Sequence, residues 1–242
     1  MNTNRKTTVQ ASKPTMTSST LMRLAGVSAM LAGICFLFMG MFHPANIPAS
    51  VTDASWVSVH IFATFLGFFG IVGLTGLYAR QVEKAGWLGL AGYILFSLWF
   101  GLIMPFCFIE AFILPRMVTT WPAFIAAWMA MLTGDPMGVN LGILPTLWNL
   151  SNPMYILGPL LFGIATFRAG VLPRWAGALL ILGAVMPPVA AVVPPAAQMK
   201  IVLPYGLAML WLGYALFAER REKSSVSVPD QAAIRPEASK VA

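Results

Sequence analysis

Residues 56–116 read WVSVHIFATFLGFFGIVGLTGLYARQVEKAGWLGLAGYILFSLWFGLIMPFCFIEAFILPR, and this stretch decides the fold. It holds two long apolar runs, separated by the short charged segment Gln81-Val82-Glu83-Lys84. Each run reaches the roughly 20 residues that cross a bilayer as an α-helix. The runs are continuous and lack the alternation of a membrane β-strand. The stretch therefore predicts two membrane-spanning helices joined by a charged turn.

The composition of the whole chain supports the same class. Of 242 residues, 58% are hydrophobic and 10% are charged, with a mean hydropathy of +0.78. Soluble domains carry about a quarter charged residues, so this chain has too few charges to cover a soluble surface. The net charge of +7 lies in short loops and tails, as orientation signals do, and does not indicate nucleic-acid binding. The lipid bilayer is the predicted partner.

The apolar runs predict an all-α integral membrane protein with six transmembrane helices, in a domain covering residues 21–218. The polar ends, 1–20 and 219–242, are predicted to be disordered tails because they lack apolar residues to bury. Between spans 3 and 4, residues 123–132 are apolar but only about half a span long, which predicts an outer interfacial or re-entrant helix. The nearby Trp121, Trp128 and Trp148 suit the headgroup belt. The six predicted spans cover residues 21–42, 56–78, 85–114, 153–167, 175–197 and 201–217.

Loop charges predict the orientation. Only Arg116 and Lys200 fall on one side of the predicted bundle. Basic residues concentrate on cytoplasmic loops, so the opposite, richly basic side is predicted to be cytoplasmic, with both termini there. We expect a multi-pass protein of a bacterial cytoplasmic membrane. The basic side carries Arg5, Lys6, Lys13, Arg23, Arg80, Lys84, Arg168, Arg174, Arg220, Arg221 and Lys223.

A recurring pattern of basic and small residues marks the start of the odd spans. It occurs at 23–26 (Arg-Leu-Ala-Gly), 84–86 (Lys-Ala-Gly) and 174–177 (Arg-Trp-Ala-Gly). Three helical hairpins in parallel orientation would produce this pattern. The alternative is that small residues simply pack transmembrane helices. Glycines at i+3 spacing in span 2 predict close helix contact: Gly67, Gly70, Gly73 and Gly76.

The candidate site consists of His43, His60 and Glu110. The predicted topology places all three at similar depth, near the outer ends of spans 1, 2 and 3. Ionisable residues inside a membrane usually face the bundle interior and mark functional sites. Imidazole and carboxylate groups bind transition metals, and they also transfer protons. The alternative is a structural role, in which Glu110 only holds helices together.

Several ligands fit this set of residues. A metal ion or another small ligand bound by His43, His60 and Glu110 is the first hypothesis, and a heme with both histidines as axial ligands is a specific version. Copper(I) is another version, because Cys35, Met39 and His43 share a face of span 1. The cofactor is left open. Further polar residues on the outer side could line the same pocket: Asp53, Asn149, Asn152, Tyr155 and Tyr205.

Short motifs across the chain resemble a group of uncharacterised bacterial multi-pass membrane proteins. They are His43-Pro44, 56–60, 76–80, 110–112 and 168–177, and the resemblance extends over about residues 22–220. It implies a six-span membrane protein and no activity, substrate or cofactor. Besides a metal- or ligand-binding protein, the sequence leaves open a non-catalytic subunit of a larger membrane complex and a small-solute or proton-coupled transporter. It also leaves open whether the chain forms a homo-oligomer and whether it is an enzyme.

Overall fold

The computed structural model describes residues 16–136, 138–190 and 192–219, and within these residues it contains helices and no strand. The predicted all-helical class is confirmed. Two 3₁₀ turns, Pro48–Thr52 and Met199–Val202, and a π-helical turn, Ile109–Ile113, accompany the α-helices. These are α1 (Ser18–Phe42), α2 (Ala54–Phe108), α3 (Leu114–Met117), α4 (Pro122–Thr133), α5 (Leu144–Ala169), α6 (Arg174–Val185), α7 (Pro187–Ala190), α8 (Pro195–Gln198) and α9 (Leu203–Ala218).

Most of the two predicted tails lies outside the described residues. The exception is the end of the first tail, because α1 already begins at Ser18. The hydroxyl of Thr17 caps this helix by accepting a hydrogen bond from the backbone N–H of Thr20 at 3.2 Å. The predicted disorder up to residue 20 is therefore wrong at its last residues.

Four helical stretches in the described chain are long and apolar enough to cross a membrane. They are Ser18–Phe42, Ala54–Met117, Leu144–Ala169 and Met199–Ala218. Large apolar side chains are exposed along them, as expected for helices that face lipid. Two shorter apolar helices, α4 and α6, accompany these stretches.

The second stretch folds back on itself at Gly86. This glycine has φ +58°, a left-handed conformation that disfavours other residues, and it interrupts the helical geometry of α2. The two arms pack against each other: Gly67 faces Met104, and the Tyr78 ring stacks on Tyr93 at 4.9 Å. Predicted spans 2 and 3 are thus two helical arms that are joined directly at Gly86, where the chain reverses direction. The separate loop predicted at residues 81–84 is not present, because these residues are helical.

Prolines change the two following predicted spans. The helix predicted from Pro153 begins instead at Leu144 and continues through Pro153 and Pro159. The span predicted from Trp175 to Ala197 is broken: α6 ends at Val185, ahead of the pair Pro187-Pro188. Proline lacks the N–H that would continue the helical hydrogen bonds. The short helices α7 and α8 follow.

Glycines set the spacing of the helices. In α1, a Cβ at Gly33 would lie 2.7 Å from the backbone oxygen of Gly206 in α9. In the first arm of α2, a Cβ at Gly73 would lie 2.6 Å from the backbone of Ala29. Backbones approach this closely only where side chains are very small, so the i+3 glycines do permit close contact.

The three glycines of the recurring start pattern are not equivalent. Gly26 packs against α9 and Gly177 against Gly163 of α5. Gly86 instead forms the reversal, and a Cβ added there would meet no other atom within 4 Å. Small residues thus serve helix packing in two cases and a turn in the third. The arrangement of three equivalent hairpins stays a prediction.

Candidate functional site

The three candidate residues converge at one end of the bundle. Nε2 of His60 lies 3.2 Å from Oε2 of Glu110, and the ring centroids of His43 and His60 are 5.0 Å apart. His60 and Glu110 are buried, whereas His43 is half-buried. They come from three elements: the end of α1, the first arm of α2 and the π-helical turn.

The π-helical turn brings Glu110 into this position. Pro105 lies one turn earlier, and the N–H of Leu114 donates to the carbonyl of Ile109. Residue 115 is a proline and has no N–H to offer to the carbonyl of Glu110. That carbonyl instead accepts a hydrogen bond from the indole Nε1 of Trp56 at 3.0 Å. Single π-helical turns of this kind occur frequently at functional sites.

Helix α4 contributes a second hydrogen bond to Glu110, this time to its side chain. Nε1 of Trp128 donates to Oε1 of Glu110 at 3.0 Å. Trp128 is fully buried, and its ring packs against Phe106 and Phe124. The prediction that Trp128 belongs to the headgroup belt is wrong, because its indole N–H finds a buried acceptor. The apolar face of α4 belongs to a second core cluster with Val51 and Leu141.

Hydrogen-bond partners restrict the proton positions on His60. Its Nδ1 lies 2.7 Å from the carbonyl oxygen of Trp56, so Nδ1 carries the proton and donates it. Nε2 then either accepts from a protonated Glu110 or, in a charged ring, donates to a carboxylate. A charge in a buried membrane site is expensive, which favours the neutral pair. In that state Oε2 of Glu110 donates to Nε2 and Oε1 accepts from Trp128.

His43 differs from His60 because one of its ring nitrogens remains available. Nδ1 donates to the carbonyl oxygen of Pro44 at 2.6 Å. The one hydrogen bond of the His43 side chain in the described part of the protein is that of Nδ1, so Nε2 has no hydrogen-bond partner there. Desolvation by burial, followed by the nearby His60, lowers the pKa of His43 to about 4. At neutral pH its Nε2 is therefore a hydrogen-bond acceptor.

A cavity of about 220 Å³ opens beside these residues. Its walls come from α1, both arms of α2, α5 and the 3₁₀ turn before α9, and most of them are apolar or aromatic. Besides the candidate residues, the polar lining residues are Asn46, Ser151, Asn152 and Tyr155, and of these Asn152 is exposed. The lining residues are Phe36, Met39, His43, Asn46, His60, Trp99, Ile103, Cys107, Glu110, Leu132, Trp148, Ser151, Asn152, Tyr155, Met199, Ile201 and Val202.

Of the five further polar residues predicted for this pocket, two line it: Asn152 and Tyr155. Tyr205 lies behind Tyr155, and its hydroxyl donates to the carbonyl oxygen of Tyr155 at 3.2 Å. Asp53 and Asn149 are exposed and are not among the lining residues. The pocket is therefore less polar than the sequence suggested.

A metal or heme site is not shown among the described residues. No group of three His, Cys, Asp or Glu side chains in the described part of the chain is arranged to hold a metal ion. Nδ1 of His60 is hydrogen-bonded to Trp56, its Nε2 lies 3.2 Å from Glu110, and its ring makes an edge contact with that of His43. Axial ligands of a heme approach the iron from opposite sides of the macrocycle, for which this contact leaves no space. Cys35 is buried and does not line the cavity.

Trp56 and Trp128 are the site residues that sequence reasoning missed. Trp56 precedes His60 by four residues, so its place on the same helix face was available from the spacing. Its ring centroid lies 4.3 Å from that of His60. Trp128 gave no such signal, because its contact with Glu110 depends on how α4 folds back over the bundle.

Comparison with known proteins supports the class of the chain. It is 33% identical over 109 residues to a probable peptidoglycan glycosyltransferase FtsW of Xanthomonas oryzae pv. oryzae. The similarity covers 41% of this chain and only 16% of that relative. No family model matches the chain, and no solved structure matches it. Together with the four long apolar helices, the similarity identifies an all-helical integral membrane protein.

Proposed function

We propose that this membrane protein binds a small, neutral, amphipathic molecule in the cavity beside His43, His60 and Glu110. The observation that carries the proposal is the unpartnered Nε2 of His43 at the edge of a largely apolar cavity. A hydrogen-bond acceptor on an apolar wall selects a ligand that has an O–H or N–H group at one end and an apolar body. A few well-placed polar groups in an apolar cavity are typical of small-molecule sites.

The walls fit the apolar body of such a ligand. The rings of Trp99 and Tyr155 lie 5.1 Å apart, and Phe36 stacks on Trp99 at 6.0 Å. Flat aromatic surfaces bind rings and alkyl chains with little loss of side-chain freedom. The volume of about 220 Å³ is below the roughly 300–1,000 Å³ of pockets for drug-sized molecules, so one ring or a short chain fits.

The polar residues have separate roles in this proposal. His60 and Glu110 bind each other and the two indoles, so they fix the cavity wall. His43 is the residue that contacts the ligand. We further propose that six segments cross a bacterial cytoplasmic membrane with both termini inside, which places the cavity at the outer leaflet. The distribution of basic residues supports this orientation.

The similarity to a probable peptidoglycan glycosyltransferase carries no activity to this chain, since it covers 16% of the relative.

The proposal is tested by identifying small molecules that remain bound after purification in mild detergent. Native mass spectrometry and solvent extraction would compare the wild type with Ile103→Trp, which fills the cavity. Ile94→Trp is the matched control, because Ile94 lies on the same arm with 45% of its surface exposed. We expect a bound molecule in the wild type and in the control and its loss in Ile103→Trp and His43→Leu. Equal occupancy in all four proteins would refute the proposal.

A further inference from the structure

A second cavity lies at the opposite end of the bundle from His60, where α2 reverses and α5 ends. Its volume is about 190 Å³. The walls combine two basic side chains with one tryptophan and small or aliphatic residues. The lining residues are Lys84, Ala85, Trp87, Leu88, Ala165 and Arg168.

The two basic side chains of this cavity, Lys84 and Arg168, have no carboxylate partner. Both are exposed, and neither forms a salt bridge with any described residue. Arg80 nearby behaves differently, because its guanidinium binds the carboxylate of Glu219. Glu83 lines a neighbouring cavity and not this one. The cavity therefore presents positive charge that is not neutralised on its own walls.

The helix ends at this cavity do not change that balance. The second arm of α2 begins just after Gly86 and contributes the positive end of a helix dipole, while α5 ends near Arg168 and contributes a negative end. Each end corresponds to about half an elementary charge, so the two contributions approximately cancel. The side chains of Lys84 and Arg168 decide the sign of the local charge.

Trp87 indicates what kind of anion fits here. It is 86% exposed, and it stands beside the cavity at the end of an apolar arm. An exposed tryptophan at the end of a membrane-spanning helix typically lies among lipid headgroups, with its ring against the upper acyl chains. Leu88 and Ala165 give the cavity an apolar side below the two cations. A phosphate group that carries acyl chains would match the cavity, because the phosphate would contact the two basic side chains and the acyl chains would contact the apolar residues.

We propose that this cavity binds the headgroup of an anionic phospholipid, with Lys84 and Arg168 contacting the phosphate and Trp87 the glycerol and upper acyl region. Basic pockets between transmembrane helices are a known form of lipid recognition. The site is independent of the cavity at His43. Its position also agrees with the cytoplasmic side predicted from the loop charges.

The experiment measures lipid binding to the full-length protein in nanodiscs that contain phosphatidylglycerol and phosphatidylcholine, released and analysed by native mass spectrometry. In Lys84→Gln and Arg168→Gln we expect retention of phosphatidylglycerol to fall about fivefold each, and about thirtyfold in the double variant. Arg174→Gln is the matched control: it removes the same charge on the same side, and Arg174 does not line the cavity. Trp87→Ala should weaken retention without changing the charge.

Three outcomes would overturn the proposal. One is an equal loss in Arg174→Gln, which would indicate non-specific attraction to the bundle end. Another is protection from thermal unfolding by inorganic phosphate that equals that by phosphatidylglycerol, which would indicate a site for a soluble anion. The third is unchanged retention in the double variant. Arg168→Lys keeps the positive charge, so it should bind phosphatidylglycerol better than Arg168→Gln does. This result would show that the loss in Arg168→Gln comes from the missing phosphate contact and not from misfolding.

Discussion

Replacing Glu110 by glutamine tests whether the buried pair with His60 is neutral. In the neutral pair, Oε2 of Glu110 donates to Nε2 of His60, and Oε1 accepts from Trp128. A glutamine at position 110 reproduces both interactions, because its amide N–H donates and its carbonyl accepts. We therefore expect Glu110→Gln to change the free energy of unfolding by less than about 1 kcal/mol.

Glu110→Leu provides the contrast, because it removes both interactions and leaves the Trp128 N–H and Nε2 of His60 unpaired in a buried site. Each unsatisfied group costs about 1–3 kcal/mol, so a loss of about 2–6 kcal/mol is expected. Unfolding in mixed micelles, followed by tryptophan fluorescence, measures both changes. The exposed Glu83→Gln should stay within about 0.5 kcal/mol of the wild type.

A loss of about 3–5 kcal/mol in Glu110→Gln would refute this reasoning. That is the cost of removing one partner of a buried ion pair, since the remaining charge stays buried without compensation. His60 would then carry a positive charge, and its role would be closer to proton transfer than to fixing the cavity wall.

Three further predictions follow from single residues. Folding lowers the pKa of His43 from 6.5 to about 4, so as the pH falls the unfolded chain binds a proton before the folded protein does. The free energy of unfolding should therefore decrease between pH 6.5 and pH 4. His43→Gln should remove this decrease, and an unchanged pH dependence in that variant would contradict the prediction. Gly33→Ala should destabilise by about 1–3 kcal/mol, because its Cβ would meet the backbone of α9, whereas Gly101→Ala, with open space, should be neutral or stabilising in the same unfolding assay. Gly86→Ala should cost about 1–2 kcal/mol through its left-handed backbone alone, and an unchanged stability would show that the reversal relaxes.

The sequence was sufficient for the fold class because long apolar runs have few alternatives in a membrane. It was insufficient at the prolines and at Gly86. The charged segment before Gly86 resembles a loop, yet the helix continues through it and reverses at one glycine. Pro153 lies inside α5, whereas Pro187 marks the break after α6. Whether a membrane helix tolerates a proline depends on neighbours that satisfy the freed carbonyl, and a sequence pattern does not contain that information.

The similar depth of His43, His60 and Glu110 could be expected from the sequence, but neither their convergence nor their hydrogen bonds could. Depth follows from counting residues along each helix. Glu110 lies within a π-helical turn, which changes the direction of its side chains relative to an α-helical register. Helical periodicity alone therefore does not give the direction of Glu110, and the indoles that bind it come from distant positions.

The contacts of the two indoles show that His43, His60 and Glu110 do not share one role: Glu110 and His60 stabilise the wall, and His43 faces the ligand in the proposed function. Trp128 donates to one side-chain oxygen of Glu110, His60 lies 3.2 Å from the other, and Trp56 donates to the backbone carbonyl of Glu110, so the contacts of this residue lie within the protein wall. His43 contacts the His60 ring of this network, lines the cavity and has no hydrogen bond at Nε2 within the described residues. His43→Leu should lose ligand binding and keep its free energy of unfolding. Glu110→Leu should lose free energy of unfolding and keep ligand binding. These two results together would demonstrate that His43 binds the ligand and Glu110 stabilises the fold.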